Sequence, residues 1–220
     1  MSTTTAAKER PKDFRGLSVR AILEGHKTQF REVVKLPDLQ SWQLTSGVKD
    51  WHFIECSHSV ENCNDFIAGF SDRRGTIEII KCPYGKPADP GFDRPADRLW
   101  VRETWATTHG FDTWSPREIP KEARIYYSAT AGVGGLRCRP SIFMPRWASR
   151  ITLEITAVRV ERLQSISDAD ALAEGCTADD MRHGDCLAGV YARLWQSING
   201  PGSWDANPWV WVVEFRRVQP

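Results

Sequence analysis

Apolar and polar residues alternate most clearly between Arg150 and Leu163. Ile151, Leu153 and Ile155 hold one parity, and Val158 and Val160 then take the other. Strict alternation marks a strand with one buried face, and the change of phase predicts a β-bulge near Ala157. From Asp185 to Ile198 the period changes. Apolar residues at 187, 190, 191, 194, 195 and 198 follow the spacing of one buried helical face, and Gly200-Pro201 stops it. Trp209 to Val218 returns to period two, with Trp209 and Trp211 on one face and Val210 and Val212 on the other. Both indoles therefore read as mainly core.

Weaker signals fill in the rest. A short helix is predicted from Leu17 to Glu24, with Ser18 as its cap and Gly25 as its left-handed end. Lys27 to Val34 follows as a strand. Leu99 to Trp105 and Arg124 to Thr130 are further strands. Asp168 to Glu174 forms a second short helix, capped by Ser167 and ended by Gly175. Asp50 to Cys56 and Thr76 to Cys82 are strands, and the proline-rich stretch from Pro83 to Pro95 is loop. Residues 1–13 lack an apolar period and are expected to be a disordered tail. The chain from 14 to 220 reads as one α+β domain with a curled or closed sheet, and residues 36–80 as an insertion on it.

Composition sharpens this picture at two points. Ten tryptophans in 220 residues is high for a globular chain, and Trp serves both as core filler and as a platform for bases. A net charge of +1 means that binding to nucleic acid would need a local patch, and Arg137, Arg139, Arg146 and Arg150 form one acid-free run. The six cysteines include no Cys-x-x-Cys pair, so they read as reduced thiols of a cytoplasmic protein. Cys56-Ser-His58 with Cys63 and Cys82 matches no standard zinc spacing, and no metal or cofactor is expected. No apolar run reaches the ~18 residues of a membrane span.

Several residues carry candidate chemistry, each with a plainer alternative. Lys27, just after a glycine turn at a strand start, could sit at the mouth of the sheet as a base or a phosphate contact; otherwise it is a solvated lysine. Phe30 could close a pocket or stack on a base. Trp100 and Arg102 share a strand face, an indole beside a guanidinium, with Glu103 facing the other way; the alternative is core Trp with a salt-bridged Arg. Arg146-Trp147, stiffened by Pro145, offers a fork for phosphate and a face for a base, or is a structural turn with Trp147 buried.

The order helix, Gly25, Lys27-Thr28, Asp97-Arg-Leu-Trp-Val-Arg-Glu103, Ile151 to Arg159, a short acidic helix and Trp209 to Arg217 resembles the ASCH family. Pro140-Ser-Ile-Phe-Met-Pro-Arg-Trp-Ala-Ser-Arg150 and Ser197-Ile-Asn-Gly-Pro-Gly-Ser-Trp-Asp-Ala-Asn-Pro-Trp209 are similar to stretches of its longer phage and prophage members. The resemblance implies a small PUA-like β-barrel with flanking helices, and RNA, single-stranded nucleic acid or a modified nucleoside as ligand. Some small members are amidohydrolases acting on N4-acetylcytidine through a lysine, a threonine and a glutamate. Carried over, these fall on Lys27, position 30, which is Phe30 here, and Glu174. Thr28 is the hydroxyl that remains beside Lys27, and strand alternation points the adjacent residues 27 and 28 to opposite faces. Three functions follow: a nucleic-acid or nucleoside binder, with a pocket between Lys27 and Glu174 approached past Arg102, Arg146 and Trp147; an amidohydrolase; or a phage accessory protein binding a host protein.

Overall fold

The computed structural model describes residues 7–35, 52–58, 66–71, 77–89, 94–182 and 184–218. In chain order its elements are β1 (Glu9–Asp13), α1 (Gly16–Leu23), β2 (Gln29–Val33), β3 (His52–His58), β4 (Phe66–Ser71), β5 (Ile77–Lys81), β6 (Arg98–Arg102), β7 (Trp105–Ala106), β8 (Tyr126–Tyr127), β9 (Thr152–Arg162), α2 (Asp168–Ala173), α3 (Leu187–Asn199) and β10 (Trp209–Val218).

Five strands form the main sheet in the order β1-β6-β9-β10-β2. β1 runs parallel to β6, and the other neighbours are antiparallel. β10 is the spine. Its Trp211, Val213 and Phe215 enter the main core with Val19 and Ile22 of α1, while Val210 and Val212 pack on the other face with Val190, Tyr191 and Trp195 of α3. The bulge expected near Ala157 is present: Glu214 pairs with Ala157 and Phe215 with Ile155, so Thr156 has no partner and the buried parity changes there. That one extra residue lets both halves of a long strand keep their apolar side chains on the core.

The sheet does not close into a barrel. Its edges, β1 and β2, are not hydrogen-bonded to each other. They are nevertheless drawn together by side chains. Lys12 of β1 lies 2.5 Å from Glu32 of β2, its ammonium stands 4.6 Å from the Phe30 ring, and the Phe14 and Phe30 rings meet edge-on at 5.7 Å. A curled sheet with an open seam results.

Several sequence expectations change. The tail expected over residues 1–13 is in part a strand, because Glu9–Asp13 is held by backbone pairing to β6 and by a contact between Arg10 and Asp97 at 2.9 Å. α1 begins after Arg15 with no side-chain cap, so Ser18 lies inside the helix. The strand expected over Arg124–Thr130 shrinks to Tyr126–Tyr127. β3, β4 and β5 form a separate three-stranded sheet, of which β4 was not foreseen. Ala68 and Cys82 tie it to the main core. The Asp50, Cys63 and Thr76 positions lie outside the described residues. No helix among the described residues is long and apolar enough to cross a membrane.

Candidate functional site

The seam between β1 and β2 opens onto a cavity of about 560 Å³. Lys27, Arg31 and Glu174 line it from the sheet side, and Tyr191 and Trp195 from α3. Lys12, Arg15 and Lys35 also line it. Among the described residues neither Arg15 nor Lys35 has a carboxylate partner.

Local backbone structure brings Lys27 to Glu174. α2 begins with a capping box, in which Ser167 and Asp170 satisfy each other's backbone groups, and ends at Glu174. Gly175 follows at φ +92°, a left-handed conformation that suits glycine, and turns the chain away. The freed backbone is taken up by the segment after α1: Lys27 and Glu174 form a short antiparallel bridge, and the Thr28 N–H donates to the Ala173 carbonyl at 2.8 Å. On its other side Thr28 accepts from the Phe215 N–H at 2.8 Å. The segment carrying Lys27 is thus gripped by α2 and β10 together.

Lys27 Nζ donates at 2.7 Å to both the Glu174 carbonyl and Glu174 Oε2. Both side chains are buried. The second Glu174 oxygen accepts from Arg31 Nη1 at 3.1 Å. Arg31 has no exposed side-chain surface; it also donates to Glu161 at 2.6 Å and lies 3.5 Å from Asp170. Arg159, two strands away, extends the network to Asp170, Glu161 and Glu214. Three cations therefore meet four carboxylates, so the cations of this floor are already neutralised.

The environment fixes the protonation states. Burial opposes the charge of Arg31, but Glu174 and Glu161 more than offset it and its pKa is raised. Burial, and then the negative charge of Glu174, pushes the Tyr191 hydroxyl up, so it stays a donor. For Asp170, burial pulls upward, yet hydrogen bonds from Ser167 and the charges of Arg31 and Arg159 bring it down to about 2. Cys176, buried behind Glu174, is pushed up to about 11 by desolvation and is a thiol, not a thiolate, at neutral pH. Two buried donors of the cavity-lining residues, Arg31 Nε and Trp195 Nε1, have no hydrogen-bond partner among the described residues.

The sequence-derived candidates separate into groups. Lys27 and Glu174 converge. Phe30 borders the cavity, but its ring is in the core, edge-on to Phe14 and to Tyr84 at 4.9 Å and covered by Lys12, so it offers no face to a base. Thr28 is exposed and does not line the cavity. Arg102 lies beside the Trp100 ring at 5.9 Å, as the strand alternation suggested, and is paired with Asp13 at 2.5 Å. Glu103 is buried, held by Arg150 in a two-pronged contact of 2.9 and 3.0 Å, and does not line the seam cavity. Arg146 grips Glu9 at 2.8 and 3.3 Å, and Trp147 is half-buried against the Trp105 and Met144 cluster. Neither lines the seam cavity.

Arg31, Tyr191 and Trp195 were not foreseen as site residues. The signal for Arg31 was present: Lys27, Gln29 and Arg31 alternate, and all three are buried. Tyr191 and Trp195 were recognised as one buried helical face, but nothing local indicates that this face also borders a cavity. Comparison with known proteins finds no matching family model, no matching curated protein and no matching solved structure.

Proposed function

We propose that the seam cavity binds one nucleoside unit, either free and modified or as part of RNA or another single-stranded nucleic acid. The observation that carries this reading is the Lys27–Glu174–Arg31 arrangement at the floor of a cavity of about 560 Å³ walled by Tyr191 and Trp195. Lys27 has three N–H donors and spends two on Glu174. One donor remains, beside a carboxylate whose oxygens keep acceptor capacity. An adjacent donor and acceptor complement the edge of a cytosine-like base, which presents the ring N3 acceptor next to the exocyclic amino group. Because the floor cations are already paired, a neutral base suits this position better than a phosphate. Phosphate charge is better met at the rim, by Arg15 and Lys35. On this reading the curled sheet is a PUA-like architecture of the ASCH type, left open at the seam so that the guest can enter.

Calorimetric titration with cytidine, N4-acetylcytidine and a short single-stranded RNA tests it. At least one should bind saturably, and Lys27→Ala should weaken binding about tenfold or more, the loss of one charge-assisted hydrogen bond. Absence of saturable binding by all three sinks the proposal.

The 2.7 Å Lys27–Glu174 contact also favours a second reading, amide hydrolysis. Thr28 is outside the cavity, so the attacking group would be water, with Lys27 and Glu174 moving its proton to the leaving exocyclic amine. Release of acetate from N4-acetylcytidine, abolished by Lys27→Ala, would establish it; binding without release would leave the binder.

A further inference from the structure

A second site is built around Arg139, away from the seam. The residue is only 7% exposed. Its backbone exchanges two hydrogen bonds with Trp105, and its guanidinium lies 5.6 Å from the Trp105 ring. Nη2 donates to the Phe111 carbonyl at 2.5 Å, and Nε is buried without a partner. Arg137 stands on the same segment and donates to the Asp112 carbonyl. Among the described residues neither arginine forms an ion pair with a carboxylate. Asp112 is the acid of this neighbourhood; its Oδ2 faces His109 at 3.2 Å and its Oδ1 has no partner. Glu118 is spent on the Ser115 N–H.

Both arginines line a cavity of about 390 Å³. Trp114, 43% exposed, and Phe143, 57% exposed, supply its aromatic surface, and Thr113 and Ser115 add hydroxyls. Burial is the main influence against the charge of Arg139, the Arg137 guanidinium adds repulsion, and Asp112, the nearby acid, only partly offsets them. Elsewhere in this protein most buried or half-buried arginines are paired: Arg31 with Glu174, Arg150 with Glu103, Arg10 with Asp97. The shortfall of counter-charge here, one carboxylate beside two arginines and ion-paired with neither among the described residues, is the distinctive observation. Its complement is a compact anion with several acceptor oxygens.

We propose that the cavity between Trp114, Arg137, Arg139 and Phe143 is a phosphate site, taking the phosphate of a nucleotide with an aromatic group laid on Trp114 or Phe143. It does not depend on the seam reading, although the two could serve one ligand, since Ser141 borders the seam cavity while Pro140 and Phe143 border this one. The source of the phosphate, free mononucleotide or nucleic-acid strand, is distinguished by the probe that binds.

Cys138 lines the same cavity and is an exposed free thiol, so it reports occupancy directly. Its alkylation rate would be followed by mass spectrometry in phosphate-free buffer with inorganic phosphate, cytidine 5′-monophosphate or a short single-stranded oligonucleotide. Cys186, also exposed and not a lining residue, is the internal control. The expected result is saturable slowing at Cys138 only, at least about tenfold weaker in Arg137→Ala. Arg137 is exposed, so the variant should fold; Trp114→Ala is a second surface variant expected to weaken protection by the nucleotide. Protection by the mononucleotide assigns a free nucleotide, and protection by the oligonucleotide alone assigns a strand. Lys27→Ala should leave the protection intact, which separates this site from the seam. Unchanged Cys138 alkylation with all three probes, or protection that survives Arg137→Ala, overturns the proposal.

Discussion

Lys27 and Glu174 are 147 positions apart in the chain and joined twice, by a backbone bridge and by a buried ammonium–carboxylate contact of 2.7 Å. The two partners are not equivalent. Glu174 also holds Arg31, so Glu174→Ala leaves two buried cations short of their counter-charge and is expected to cost about 3 kcal/mol or more. Lys27→Met leaves Glu174 still paired with Arg31 and should cost less than half as much. Urea denaturation of both variants checks the asymmetry. Equal losses would mean that Arg31 does not carry the charge of Glu174.

Arg31→Lys should also destabilise, although the charge is kept. The guanidinium reaches Glu161 at 2.6 Å, Glu174 at 3.1 Å and Asp170 at 3.5 Å from one planar group. An ammonium cannot span three carboxylates in that geometry and would leave at least one of them underserved. A loss of about 2 kcal/mol in chemical denaturation is expected, by the cost of an unsatisfied buried charged group.

The parts of this arrangement that were legible in the sequence are those with local causes. Parity along Arg150–Leu163 located the bulge, apolar spacing located α3, and Ser167 and Gly175 bounded α2. β1 was not legible because Glu9-Arg-Pro-Lys-Asp13 contains no apolar alternation; its extended form comes from pairing with β6. The same applies to charge. Arg31, Arg159, Glu161, Asp170 and Glu214 read singly as surface residues, and only the association of β2, β9, β10 and α2 pairs them with one another. Phe30 is different, because alternation already set it on the face opposite Lys27, Gln29 and Arg31. The structure places its ring in the main core accordingly.

Asp170 should make stability depend on pH in a defined window. Its carboxyl is held at about 2 in the folded chain, against about 3.9 in an unfolded one. A depressed carboxyl contributes stability that is fully present above the unfolded value and is lost as pH falls toward the folded one. The loss is therefore expected between about pH 4 and pH 2, with a magnitude on the order of 2 kcal/mol for a group that is mostly buried. Asp170→Asn should flatten the slope of unfolding free energy against pH across that interval. An unchanged slope would show that Asp170 titrates normally.

Thiol chemistry gives a separate check on burial. Cys82 and Cys176 are buried and pushed up to about 11 by desolvation, whereas Cys138 and Cys186 are exposed. Because the thiolate is the reactive form, iodoacetamide at neutral pH should label Cys138 and Cys186 well before the other two. Peptide mapping over time measures the order, and early labelling of Cys176 would contradict a closed floor behind Glu174.

Gly175 links the turn to the site. Its φ of +92° is strained for any residue with a Cβ, and an added Cβ would stand 3.2 Å from the Ala21 Cβ and 3.4 Å from the Lys27 Cβ. Gly175→Ala therefore has two separable effects. The backbone strain should lower stability by about 1–3 kcal/mol. The tighter contact, with Ala21, must be relieved by a shift of α1, and because the Ala21 carbonyl accepts the Lys27 N–H at 3.0 Å the ammonium should move from Glu174, so ligand affinity should fall even under conditions where the variant is fully folded. The loss of stability is read from denaturation and the loss of affinity from titration at low temperature. A variant that is destabilised but binds as well as the parent chain would show that the position of Lys27, and with it the donor offered to the guest, does not depend on this turn.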